Sequence, residues 1–190
     1  MATKRNRTQL LILTSMFTVL TAAGAFIKIP IGPVPISLQF LFVCLAGICL
    51  GPKFGAVSQL LYVGLGLAGL PIFAAGGGLG YVFNPSFGYL IGFIPAVIVI
   101  GQISDPSRKQ RFSRTLIACA LGILIIYIIG VPYMYMIMRI VMGVEVAFTK
   151  AILIGFLVFV PGDAVKCLCS AYLGKVLVPV LRRQLGGAYQ

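Results

Sequence analysis

Apolar residues run along this chain in long blocks, separated by short stretches rich in charge, glycine or proline. Blocks of that length indicate helices packed in hydrocarbon, since strands alternate with period two and amphipathic surface helices show a polar face. They fall at about 8–27, 36–51, 54–70, 86–103, 115–138 and 161–181, most near the ~20 residues that cross a bilayer. The pattern predicts an all-α polytopic membrane protein, a bundle of six transmembrane helices forming one domain over 1–190. Another apolar stretch, about 146–160, precedes Pro161-Gly162. Joined to the last block it would reach well beyond the ~30 Å hydrocarbon core at about 1.5 Å per residue. It is therefore expected to be a separate short segment at the outer surface.

Composition tightens this reading. The chain of 190 residues is 60% hydrophobic and only 9% charged, against roughly 25% charged in soluble domains. Six crossings use about 120 residues and leave about 70 for loops and tails, with no room for an appended soluble domain. The 15 Lys+Arg against 3 Asp+Glu would suit a nucleic-acid binder if they shared a polar face. Apolar blocks separate them instead, so no nucleic-acid partner is expected and the charge reads as orientation. With both termini on one side, that side holds Lys4, Arg5, Arg7, Lys53, Arg108, Lys109, Arg111, Arg114, Lys175, Arg182 and Arg183. Lys28, Arg139 and Lys150 fall on the other. The positive-inside rule then places both termini in the cytoplasm of a cell whose plasma membrane the chain spans several times.

With no His, and only Asp105, Glu145 and Asp163 as acids, metal hydrolysis, His-based triads and paired-carboxylate catalysis lack their residues. No enzymatic activity, metal or cofactor is expected. The five cysteines Cys44, Cys49, Cys119, Cys167 and Cys169 form no C-x-x-C and read as small hydrophobes. Lys4, Arg5 and Arg7, the apolar stretch from Leu10 and Ala23-Gly24-Ala25 imitate a signal peptide. The segment is read here as the retained first membrane helix.

The topology sends three irregular segments to the outer face: 28–37, the glycine-rich 69–85, and the break at Pro161-Gly162. Non-helical backbone at membrane depth must be buried in protein or line a cavity, so their convergence predicts a cap or vestibule. Below it lie Asp163 and Lys166, the only opposite charges within one span, three residues apart and so on one helix face. Intramembrane charge is costly and marks function by default, although a salt bridge that only pins the helix would look the same. Asn84-Pro85 reads as a helix N-cap with proline in the first helical position, and Asn84 is open to either capping or ligand contact. Gly77, within Gly76-Gly77-Gly78, can approach a ligand or serve as a plain linker. Ser37 and Gln39 are polar in an apolar setting, suited to a ligand or a neighbouring helix. Tyr81, Phe83, Phe87 and Tyr89 can form apolar walls or a membrane-interface belt. Thr14, Thr18 and Ala22 form a strip of small residues that permits close helix approach, inside the bundle or against another subunit.

Taken in order, these motifs resemble a known family. Gly32-Pro33-Val34-Pro35-Ile36-Ser37-Leu38-Gln39, Gly69-Leu70-Pro71-Ile72-Phe73 leading into the triple glycine, Asn84-Pro85-Ser86-Phe87-Gly88-Tyr89, and Pro161-Gly162-Asp163 with Lys166 look like BioY. That family comprises the biotin-specific substrate-binding subunits, or S components, of energy-coupling-factor (ECF) transporters. The resemblance covers about 10–180. It implies a six-helix membrane protein that binds biotin as substrate near the outer face, in a bacterial cell membrane. It also implies a transmembrane coupling subunit and two cytoplasmic ATPase subunits as partners, with lipid around the bundle. Family members meet the coupling subunit through Ala-x-x-x-Ala on the first helix, where this chain has Thr14 and Thr18 beside Ala22. In this family frame the substrate-binding set is Asn84, Asp163, Lys166, Gln39, Tyr89, Gly77 and Phe87. Asp163 can accept a ureido N–H and Asn84 can donate and accept in the ring plane. Lys166 can serve the ureido carbonyl, neutralise Asp163 or attract the carboxylate. A different class of transporter also fits the residues: a self-sufficient secondary carrier that couples protons through Asp163 and Lys166.

Overall fold

A computed structural model describes residues 2–107 and 109–185; Arg108, among the cations sorted above, lies outside them. The described chain runs α1 (Ala2–Phe26), β1 (Lys28–Ile29), β2 (Ile36–Ser37), α2 (Gln39–Leu67), a 3-10 turn (Leu79–Phe83), α3 (Phe87–Ser104), α4 (Phe112–Ile140), α5 (Phe148–Ile152), a π turn (Leu153–Leu157) and α6 (Val160–Leu185). Five described helical stretches are long and apolar enough to cross a membrane: Arg7–Phe26, Gln39–Leu67, Phe87–Ser104, Phe112–Ile140 and Phe148–Arg183.

The expected pair of helices at 36–51 and 54–70 is one helical stretch, α2, broken at Gly51 (φ 76°, ψ −176°) just before Pro52. The break reverses the chain. Gln39 Nε2 lies 2.7 Å from Tyr62 Oη, whereas 23 residues of straight helix would separate them by about 35 Å. Only glycine readily takes the Gly51 conformation, and Pro52 has no N–H to lose at the start of the second arm. The tip of this hairpin is wedged against α3 and its following loop. A Cβ on Gly101 would lie 2.5 Å from the Pro52 nitrogen, and one on Gly51 would lie 3.3 Å from Pro106.

A second correction concerns 146–160. The segment is not split off; it is helical from Phe148 and runs through the π turn and Val158–Phe159 into α6. The irregularity falls before Pro161, because proline is accommodated in the first turn of a helix. The N–H of Val158 bonds back to Leu153 O at 3.2 Å, five residues earlier.

Packing follows from which face of each helix is apolar and small. α3 lies between α2 and α4, α1 rests on α2, and α6 packs against α2 and α4. The inward face of α1 is Leu10, Thr14, Phe17, Thr18, Thr21 and Ala25. Its threonine hydroxyls are satisfied locally, Thr14 on Leu10 O at 2.7 Å and Thr21 on Phe17 O at 2.8 Å. Thr18 also reaches across to Ser58 O on the second arm of α2, at 3.0 Å. Cys44, Cys49, Cys119 and Cys167 are buried in the apolar core, and Cys169 is exposed.

At one end of the bundle the connections fold over the helices. Strands β1 and β2 pair antiparallel, Lys28 opposite Ser37. Lys28 Nζ donates to Ala74 O, tying this hairpin to the glycine-rich loop. Phe73 anchors that loop by packing edge-on against Tyr62, their ring centroids 5.4 Å apart. Tyr133 of α4 holds the 3-10 turn through the Val82 carbonyl.

Candidate functional site

Beneath these loops lies a narrow cavity of about 60 Å³. Val34 and Pro35 of the hairpin and Ala74 of the glycine-rich loop cover it. Aromatic walls come from Phe40 of the first arm of α2, Tyr81 of the 3-10 turn, Tyr89 and Phe93 of α3, Tyr127 of α4 and Phe159 just before α6. Polar side chains are few and come in three groups, of which the Tyr81–Ser86 hydroxyl pair is the smallest.

The first group is built on α6. Asp163 stands in its first turn, where a carboxylate interacts favourably with the helix dipole. One turn on, Lys166 Nζ lies 2.7 Å from Asp163 Oδ1, and both side chains are buried. The other carboxylate oxygen, Oδ2, accepts the hydroxyl of Tyr127 from α4. A charge pair taken out of water holds only when its remaining hydrogen-bonding capacity is also met, and Tyr127 meets part of it.

The second group joins the covering loops to α2. Ser37 Oγ donates to Gln39 Oε1 at 2.9 Å, Gln39 Nε2 to Tyr62 Oη at 2.7 Å, and Tyr62 Oη to Ile72 O at 3.1 Å. This chain spans β2, both arms of α2 and the glycine-rich loop. Both amide ends of Gln39 are therefore engaged within the protein, and its side chain forms a fixed polar edge of the cavity.

Of the residues singled out from sequence, Gln39, Tyr89, Asp163 and Lys166 line the cavity together. Tyr89 also donates to Gly155 O at 2.9 Å, securing the π turn to α3. Asn84, Gly77 and Phe87 lie elsewhere. Asn84 is not the helix cap, because α3 starts at Phe87 with Ser86 preceding it. Its Oδ1 instead accepts the Ser86 N–H at 3.0 Å and the Ser86 hydroxyl at 2.7 Å, an Asx turn that sets the chain's entry into α3. Asn84 and Gly77 line a separate polar depression, and Tyr81, which borders both spaces, stands between them and the cavity. Tyr81 Oη is 2.9 Å from Ser86 Oγ, so Asn84 connects to the cavity through Ser86 and Tyr81. Burial raises the Tyr81 hydroxyl above its usual pKa, keeping it protonated. Gly77 serves close backbone packing, since a Cβ there would meet Leu70 O at 2.1 Å. Phe87 is buried behind the wall between Tyr81 and Tyr133, at ring distances of 6.4 and 6.0 Å.

Thr14 and Thr18 are 1% and 5% exposed, turned into the bundle, and Ala22 is half-buried. The threonines of the small-residue strip pack α1 against α2. Sequence reasoning passed over Tyr62 and Tyr127. The signal for Tyr127 was a lone hydroxyl in Ile125-Ile126-Tyr127-Ile128-Ile129, which hydrocarbon burial would penalise without a partner.

Fold and site together define a multi-pass membrane protein with a small-molecule cavity closed by loops at one end of a helix bundle. The chain belongs to the BioY family, whose model matches residues 1–183. It is 42% identical over 179 residues to the probable biotin transporter BioY of Lysinibacillus sphaericus, covering 94% of this chain and 91% of that one. It is 38% identical over 164 residues to the biotin transporter BioY of Thermotoga maritima, covering 86% and 92%. Its fold is similar to a crystal structure of the S component for biotin from an ECF-type ABC transporter. That likeness has a TM-score of 0.80 and 27% identity, and covers 91% of this chain and 92% of the other.

Proposed function

We propose that the protein binds biotin in this cavity and delivers it across the bacterial plasma membrane as the S component of an ECF-type ABC transporter. The observation that carries the reading is the buried Asp163–Lys166 pair beside the aromatic walls of the cavity, in a BioY-family chain. Asp163 accepts a ureido N–H of biotin, and Lys166 donates to the ureido carbonyl. The thiophane ring and valeryl chain lie against Tyr89, Phe93 and Phe159. An analogue without the matching donor would leave a buried charge unsatisfied, which is a strong basis for discrimination. Asn84 acts from behind Tyr81, through Ser86 and the Tyr81 hydroxyl.

Nothing in this reading requires chemistry on the substrate. ATP hydrolysis comes from two cytoplasmic ATPase subunits, joined through a transmembrane coupling subunit. On α1 that partner would meet the outward face, with Leu11, Ser15, Val19 and Ala23 exposed, rather than Thr14 and Thr18. Counting the two arms of α2 separately makes six crossings with both termini cytoplasmic. The cations at the Gly51–Pro52 tip, in the α3–α4 loop and late in α6 support that orientation.

Titration calorimetry on the purified protein tests the substrate, with biotin expected to bind in preference to other water-soluble vitamins. Asp163→Asn is expected to weaken binding by about tenfold or more, the usual cost of losing a hydrogen bond to a charged group. Unchanged affinity would remove Asp163 from the site. The chain alone in liposomes under a pH gradient is expected not to accumulate biotin. Accumulation there would instead establish the proton-coupled carrier.

A further inference from the structure

Asp163, Tyr127 and Ile123 border two spaces at once, and the first two are the polar ones. One is the loop-covered cavity; the other is an apolar groove between α4 and α6, lined by Ile123, Leu124, Phe156, Val160, Ala164 and Leu168. Leu124 and Leu168 are exposed on the outside of the bundle, so within a membrane this groove faces lipid. The seam between cavity and hydrocarbon is therefore formed by the apolar Ile123 and, at the level of the charge pair, by two polar side chains, Tyr127 and Asp163. Their contact is the hydrogen bond from the Tyr127 hydroxyl to Asp163 Oδ2.

The surroundings fix the tyrosine ring. On the cavity side Tyr89 meets it edge-on at 6.4 Å and 88°, and on the groove side Phe156 does so at 4.7 Å and 73°. A ring clamped between two others presents its hydroxyl in one direction. Lys166 holds Oδ1 from the same helix as Asp163, so it cannot alone decide whether the carboxylate turns toward cavity or groove. The bond from α4 decides it.

We propose that Tyr127 is a positioning residue: its hydroxyl holds the Asp163 carboxylate toward the ligand cavity and away from the lipid-facing groove, closing the α4–α6 seam. Its effect on ligand recognition rests on the biotin reading above, whereas its control of the carboxylate does not depend on which ligand the cavity takes.

Tyr127→Phe keeps the clamped ring and removes the hydroxyl. Two measurements on folded, helical protein test the consequence. The first compares biotin with its two cyclic carbamate analogues, in which one or the other ureido N–H is replaced by oxygen. Wild type is expected to favour biotin over the analogue lacking the Asp163 contact, and in Tyr127→Phe that preference is expected to shrink about tenfold. A merely structural weakening would lower both affinities and leave the ratio unchanged, overturning the proposal. The second measurement needs no ligand. Protein in liposomes is treated with the lipophilic reagent dicyclohexylcarbodiimide, and modification of Asp163 is followed by mass spectrometry. Release of the carboxylate toward the groove is expected to raise the rate about tenfold or more in Tyr127→Phe, by the same loss of one charge-assisted bond. Equal rates overturn the proposal. A raised rate in a protein whose wild type fails to bind biotin supports the role of Tyr127 and removes the substrate reading instead.

Discussion

At the scale of single residues, the two buried charges dominate. Asp163 and Lys166 compensate each other inside hydrocarbon, so removing one is worse than removing both. Asp163→Ala is expected to destabilise the protein by about 3 kcal/mol or more, because Lys166 is left buried and unpaired. Adding Lys166→Met to that variant is expected to recover much of the loss, without restoring ligand binding. Thermal unfolding in detergent measures the first effect and calorimetry the second; equal melting temperatures for single and double variants would contradict the coupling. Scarcity of charge made this pair legible, since it was the only opposite pair within an apolar block. Its partner Tyr127 was not, because one tyrosine in a run of isoleucines has no spacing that names its contact 36 residues away.

Elements were legible where they depended on hydrophobic length and not where they depended on a reversal or a local bond. The expected helices at 86–103, 115–138 and 161–181 lie within a few residues of α3, α4 and α6. Between 36 and 70 the boundary at 51–54 was visible as Gly51-Pro52-Lys53, yet only the Gln39–Tyr62 bond shows the two arms folded against each other. Gly51 occupies a backbone region nearly closed to other residues. Gly51→Ala is therefore expected to cost about 1–3 kcal/mol, read as a lower melting temperature; an unchanged melt would show that the tip can relax. The cap assigned to Asn84 failed for a local reason. Its side chain found the Ser86 N–H and hydroxyl first, and α3 starts two residues later than the Asn-Pro pattern predicts. Gly77→Ala tests the neighbouring loop. A Cβ cannot fit against Leu70 O, so the covering loop should loosen and biotin dissociate faster in stopped-flow measurements, while the helices stay intact.

For the whole molecule, the proposed orientation rests on the placement of charge, and packing sets the site. Single cysteines at Lys53 and Leu79, in a background without the native cysteines, are expected to react with impermeant maleimide from opposite sides of the membrane. Labelling of both from one side would overturn the topology in which the α2 arms are separate crossings. Membrane-length apolar blocks and the mostly helical class followed from the sequence by itself, because they depend on summed composition and block length, quantities independent of which residues touch. The tertiary structure alone decided that Gln39, Tyr89, Asp163 and Lys166 meet in one cavity while Asn84, Gly77 and Phe87 stand outside its walls. It also turned Thr14 and Thr18 inward. Those outcomes depend on where the chain reverses and which way each helix is rotated, and both are set by contacts between residues far apart in sequence.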